Sequence, residues 1–133
     1  MPLTTEDRLA ITDVISLHGH HADNGELDRM TELFTEDVVY DLTAVDGGTI
    51  HGRAALKQAA LDLGDGNPLA HHVTNVVVTG GDGDRAHAVS KAIVVLADRG
   101  SGSATYDDDL VRDGGRWLIR HRTVRPRREP LTP

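Results

Sequence analysis

The sequence predicts an α+β fold with a curved, mostly antiparallel sheet wrapped around about three N-terminal helices. Two observations lead there. Apolar residues recur at helical spacing only before Gly64, and from Ala70 onward the chain alternates like a strand, broken by glycine-rich turns. Helices first and a strand meander second is an α+β order.

The elements follow in sequence. Thr4-Thr5-Glu6-Asp7 reads as a helix start, with a threonine cap and acids in the first turn. Ile11, Val14, Ile15, His18, His21 and Ala22 continue it, and Asn24-Gly25 stops it. A short second helix is expected from about Asp28, carrying Met30, Leu33 and Phe34. Val38 to Leu42 reads as a strand, Thr49 to His51 as a short extended piece, and Ala54 to Leu63 as a third helix. Strands are then expected over Ala70–Thr79, Arg85–Asp98, Ala104–Arg112 and Arg116–Arg125. Gly80-Gly81-Asp82-Gly83, Arg99 to Ser103, and Asp113-Gly114-Gly115 would connect them. A curved sheet with helices on its concave side leaves a cavity, and such cavities bind small molecules.

The 133 residues fit one domain, expected over 1–125, with a Pro/Arg-rich tail at 126–133. With no cysteine, disulfide and thiolate chemistry are excluded. The N-terminus lacks the pattern of a signal peptide, and no apolar run approaches the ~20 residues of a membrane helix. A cytoplasmic protein that binds no membrane is the expectation. The net charge of −7 argues against nucleic-acid binding. Arg120, Arg122, Arg125, Arg127 and Arg128 crowd the C-terminus. They read as the solvated face of a last strand and a frayed tail, the alternative being a basic patch for an anionic ligand or partner.

Candidate chemistry rests on histidine. Five of the eight fall in two clusters: His18, His20 and His21, then His71 and His72. Imidazole titrates near neutrality and suits proton transfer, and a neighbouring carboxylate such as Asp23 can orient it. His18 and Asp23 lie about 140° apart on a continuous helix, so they would converge only if the helix ended near Ala22, which Asn24-Gly25 favours. Alternation puts His71, Val73, Asn75 and Val77 on one strand face and His72, Thr74, Val76 and Val78 on the other. The same rule places Asp108 with Tyr106 and Leu110; if buried, Asp108 needs a partner such as Arg112, Arg122 or a histidine. Tyr40 and Trp117 belong to a set of only four aromatic residues, so either could line a pocket. The spacing of the histidines matches no recognised zinc pattern, so no metal is expected.

Three stretches carry a family resemblance: LFTEDVVYDL, HHVTNVVV before a DGD hairpin, and YDDDLVRDGGRWLIRHR. Together they resemble the nuclear transport factor 2-like superfamily in its SnoaL-like branch, which holds polyketide cyclases, scytalone dehydratase and bile-acid dehydratase. The resemblance implies a cone-shaped α+β barrel with a deep pocket, often a homodimer. Dehydratases of this branch carry a tyrosine late in the first helix and an aspartate five residues on, positions that look like His18 and Asp23. Their histidine at a strand head, four residues before a small or amide residue, looks like His71 with Asn75. The tyrosine and acids of the Tyr106–Arg112 strand and the closing strand with Trp117 resemble pocket-lining positions. The implied function is cofactor-independent acid–base chemistry on a hydrophobic polyketide- or steroid-like molecule: dehydration, aldol-type cyclisation or isomerisation. Catalysis would rest on Asp23, His71 and His18. Substrate contacts would come from Tyr40, Asn75, Tyr106, Asp108 and Trp117. A non-catalytic ligand-binding or dimerisation domain, or an epoxide hydrolase, is the rival reading.

Overall fold

A computed structural model describes residues 1–98 and 100–132; Arg99 of the expected loop and Pro133 of the expected tail lie outside the described residues. The element order is α1 (Thr5–Asp23), α2 (Leu27–Thr31), β1 (Phe34–Asp41), β2 (Thr49–His51), α3 (Arg53–Leu63), β3 (Ala70–Asp82), β4 (Arg85–Val95), β5 (Ser101–Asp113) and β6 (Arg116–Pro126). The six strands form one sheet in the order β2-β1-β6-β5-β4-β3. All neighbours are antiparallel except β1 and β6, which run parallel. The sheet is therefore mixed, with the helices gathered on one side of it.

α1 begins with a full capping box. The Asp7 amide donates to the Thr4 hydroxyl at 3.1 Å, and the Thr4 amide donates to the Asp7 carboxylate at 2.9 Å. That carboxylate also takes the Trp117 indole N–H at 3.1 Å and an Arg112 N–H at 2.8 Å. The Arg112 guanidinium lies 4.7 Å over the indole ring. One helix cap is thus welded to the β5–β6 hairpin. Arg112 is the first cause holding the Asp7 carboxyl below the usual carboxylate range, followed by the Thr4 amide and Trp117. Ile11 and Ile15 bury against Phe34, Val38, Leu110 and Ile119, which fixes which face of α1 meets the sheet.

Phe34 opens β1 instead of closing the second helix, because α2 stops at Thr31. The expected turn at Gly80–Gly83 shifts by about two residues: β3 runs on to Asp82, and Gly83-Asp84 make the turn. Position-80 and position-81 glycines are strand residues whose backbone still finds ladder partners in β4. Among the described residues no helix is long and apolar enough to cross a membrane.

Candidate active site

The concave side of the sheet and the three helices enclose a cavity of about 1170 Å³. This is at the upper end for small-molecule sites. Its wall is mostly apolar, with Leu27, Met30, Leu42, Ile50, Leu61 and Val124 among the lining residues. His18, Asp23, Tyr40, His71 and Tyr106 supply polar groups to it.

Asp23 is the last residue of α1, and His71 lies at the head of β3. The Asp23 carboxylate accepts the His71 backbone N–H at 2.9 Å and meets the ring Nδ1 at 2.7 Å. A carboxylate only accepts hydrogen bonds, so the ring proton sits on Nδ1. Nε2 is the ring nitrogen that Asp23 does not engage, on a side chain that lines the cavity. The side chains of His71 and Asp23 are 16% and 22% exposed, so the pair is partly shielded from solvent. An imidazole oriented by a carboxylate is the arrangement of an acid–base pair.

The approach of α1 to β3 that makes this pair depends on Gly19. A Cβ there would sit 2.6 Å from the His71 carbonyl oxygen and 3.4 Å from the His71 Cβ. No other residue type leaves that gap open. The helix ends at Asp23 with Asn24 as its C-cap, within one residue of the end near Ala22 that convergence requires, and His18 and Asp23 both line one cavity. Asp23 extends toward β3, whereas His18 points further inward.

His18 is buried, with its ring edge-on to Phe34 at 5.9 Å, His71 at 5.5 Å and Tyr106 at 6.2 Å. Its Nδ1 has no hydrogen-bond partner. Burial, then the positive Arg122, pushes its pKa well below the ordinary histidine value, so the ring stays neutral. Burial likewise pushes the Tyr106 phenol above the usual tyrosine range, with the neighbouring Tyr40 adding to the shift. At neutral pH Tyr106 keeps its proton. His20 is exposed, His21 lies 3.8 Å from Glu26 through Nδ1, and His72 faces outward.

Three expected substrate contacts do not line the cavity. Asn75 sits at a bulge in β3 with φ of 55°, where the register with β4 slips between Thr74 and Val77. The slip exposes Asn75 and Val77 and turns Val76 and Val78 inward, so the alternation starting at His71 holds only through Val73. Asp108 is fully buried, but it is spent on Arg122, also fully buried, through two bonds of 2.7 and 2.9 Å. Burial works against the Arg122 charge, yet Asp108 more than offsets it and raises the arginine pKa. This pair lies behind the cavity wall, with the guanidinium 4.1 Å from the Tyr106 ring centroid. Trp117 is held at the Asp7 cap, away from the cavity. Among the described residues no three metal-ligating side chains come together.

Comparison with known proteins agrees with this architecture. No curated protein matches the chain significantly. Among solved structures, a variant of Rv3472 from Mycobacterium tuberculosis, a protein of unknown function, superposes with a TM-score of 0.81 at 29% identity, covering 92% of this chain and 73% of the other. An NTF2-like protein with a cystatin-like fold from Novosphingobium aromaticivorans gives 0.73 at 26% identity, covering 91% and 82%. A protein of the same organism, provisionally described as a scytalone dehydratase, gives 0.75 at 22% identity, covering 92% and 85%. The profile of the SnoaL-like domain matches residues 3–123, and the chain belongs to that family, in the NTF2-like α+β cone fold.

Proposed function

We propose that this protein is an acid–base enzyme that removes a proton next to a carbonyl of a hydrophobic substrate, leading to dehydration, cyclisation or isomerisation. The observation that carries the reading is the 2.7 Å contact between His71 Nδ1 and Asp23 at the edge of an apolar cavity.

The chemistry follows from the proton positions. His71 Nε2 takes the acidic C–H proton of the substrate, and Asp23 stabilises the imidazolium that forms. Charge then develops on the substrate carbonyl oxygen. Neutral His18 and protonated Tyr106 are the hydrogen-bond donors on the cavity wall that can meet it. In a dehydration, the imidazolium returns its proton to the leaving hydroxyl as the C–O bond breaks, so water leaves and the base is restored. The apolar wall keeps bulk water from competing for the proton. Each step uses only side chains of this chain.

The test is exchange of the α-protons of a bulky neutral ketone, 2-tetralone, with solvent deuterium, followed by NMR. Wild-type protein should accelerate exchange. His71→Gln and Asp23→Asn should each lower the protein-dependent rate by about 10²–10⁴-fold while circular dichroism stays native. Rates unchanged in both variants would leave a binding domain and end the enzymatic reading.

A further inference from the structure

The acid–base reading leaves unused a cationic feature of the cavity. Arg127 and Arg128 line its rim. Both follow the end of β6, and the Arg127 main-chain N–H donates to the Ser103 carbonyl at 3.1 Å. Ser101 and Ser103 stand at the same rim.

Neither arginine has an ion-pair partner among the described residues. By contrast, Arg112, Arg122 and Arg125 each hold a carboxylate. Among the described residues Asp23 is the one carboxylate lining the cavity, and it is committed to His71. The rim is therefore positive and unneutralised, above a wall of leucine, isoleucine and valine. This occurs in a chain whose net charge of −7 repels anions overall. Any preference for an anion has to come from the local arginines.

The strand register sets the scale. Tyr106 pairs with Val124, and Arg127 lies three residues further along the chain, one past the end of β6, roughly 10 Å at strand rise. A molecule with its reactive end against Tyr106 and His71 would bring its other end to the rim after about that length of apolar body.

We propose that Arg127 and Arg128 bind the anionic group of an otherwise apolar substrate and thereby aim its far end at His71. This rests on the acid–base reading for which end reacts, but not for the binding itself. Guanidinium groups present paired N–H donors that suit carboxylates and phosphates alike.

The experiment measures binding of decanoate, decanol and decyl phosphate to the full chain by calorimetry. None of the three needs to react, so the outcome is independent of the exchange assay. At low salt an anion should bind about tenfold more tightly than decanol. The ratio should fall to within about twofold in the Arg127→Gln/Arg128→Gln variant, and also in wild type at high salt, where screening is short-ranged. His71→Gln should retain the preference. The tighter of decanoate and decyl phosphate identifies the headgroup. Equal binding of anions and decanol to wild type, no binding of any of them, or a preference lost in His71→Gln but kept in the arginine variant would each overturn the proposal.

Discussion

Replacing Asp108 with leucine should be among the most destabilising single changes in this chain. Its carboxylate and the Arg122 guanidinium are both 0% exposed and joined by bonds of 2.7 and 2.9 Å. Removing the carboxylate leaves an arginine that cannot shed its charge, enclosed by Phe34, Tyr40 and Tyr106. Breaking a buried pair from one side costs about 3–5 kcal/mol. A domain of this size has about 5–15 kcal/mol in total, so the midpoint temperature should fall on the order of 10–20 °C. Arg122→Met should cost a similar amount, because Asp108 is then the stranded charge. The double variant Asp108→Leu/Arg122→Met should recover most of the loss. It removes both desolvation penalties, and Arg122 Nη1 is already without a partner. Urea unfolding of the four proteins gives the coupling energy, expected at several kcal/mol. A double variant as unstable as the two single changes added together would refute the claim that charge stranding, and not lost packing, sets the cost.

Two further outcomes follow from the helix that carries His18. Gly19→Ala should lower α-proton exchange by more than tenfold at near-native circular dichroism, because the added methyl meets the His71 carbonyl at 2.6 Å and pushes β3 off Asp23; a variant with wild-type exchange would show that the gap is not needed. His18 is held neutral in the folded state, while in the unfolded chain it protonates near pH 6.5. Its contribution is thus complete above about pH 7.5 and declines as pH falls below 6.5, by up to about 1.4 kcal/mol per pH unit until the folded-state pKa is reached. Urea unfolding from pH 7.5 to 5 should show a shallower decline for His18→Phe than for wild type, and equal slopes would exclude a neutral buried His18.

Local chemistry made much of the fold legible. The Thr4–Asp7 cap, the Asn24 stop and the Asp113-Gly114-Gly115 turn are short-range signals, and each lies where the sequence puts it. The helix-then-meander order gave the α+β class without any long-range information. The parallel pairing of β1 with β6 was beyond reach, because it joins segments from opposite ends of the chain. The bulge at Asn75 was hidden for a different reason: alternation carries no mark of where it slips, and only the positive φ tolerated by asparagine hints at it. That slip is why Asn75 failed as a cavity residue while His71, four positions earlier, did not.

The site was legible in parts. Histidine clustering and a nearby carboxylate single out His71 and Asp23, the resemblance adds their roles, and the Asn24-Gly25 stop ends α1 beside Asp23 as convergence with His18 requires. The Asp108 partner could be narrowed to a few cations, of which Arg122 is the one opposite it in the β5–β6 register. Trp117 was misplaced because an indole serves equally well as a cavity wall or as an N–H donor to a buried carboxylate. Gly19 offered no signal, since a helical glycine matters only through what approaches it. Arg127 and Arg128 follow the end of β6 in the proline-rich segment, and the backbone bond from Arg127 to Ser103 carries no mark in the sequence.

The double grip of Asp23 on His71 has a stereochemical consequence. One carboxylate holds both the backbone N–H and the ring of the same residue, so the imidazole cannot turn over without giving up its Nδ1 bond to Asp23. On the proposed mechanism, protons enter and leave only through Nε2, from one side of the bound molecule. A substrate that could lose either of two mirror-related hydrogens would therefore lose only one of them, and exchange of that hydrogen for deuterium would leave the labelled carbon with a single handedness.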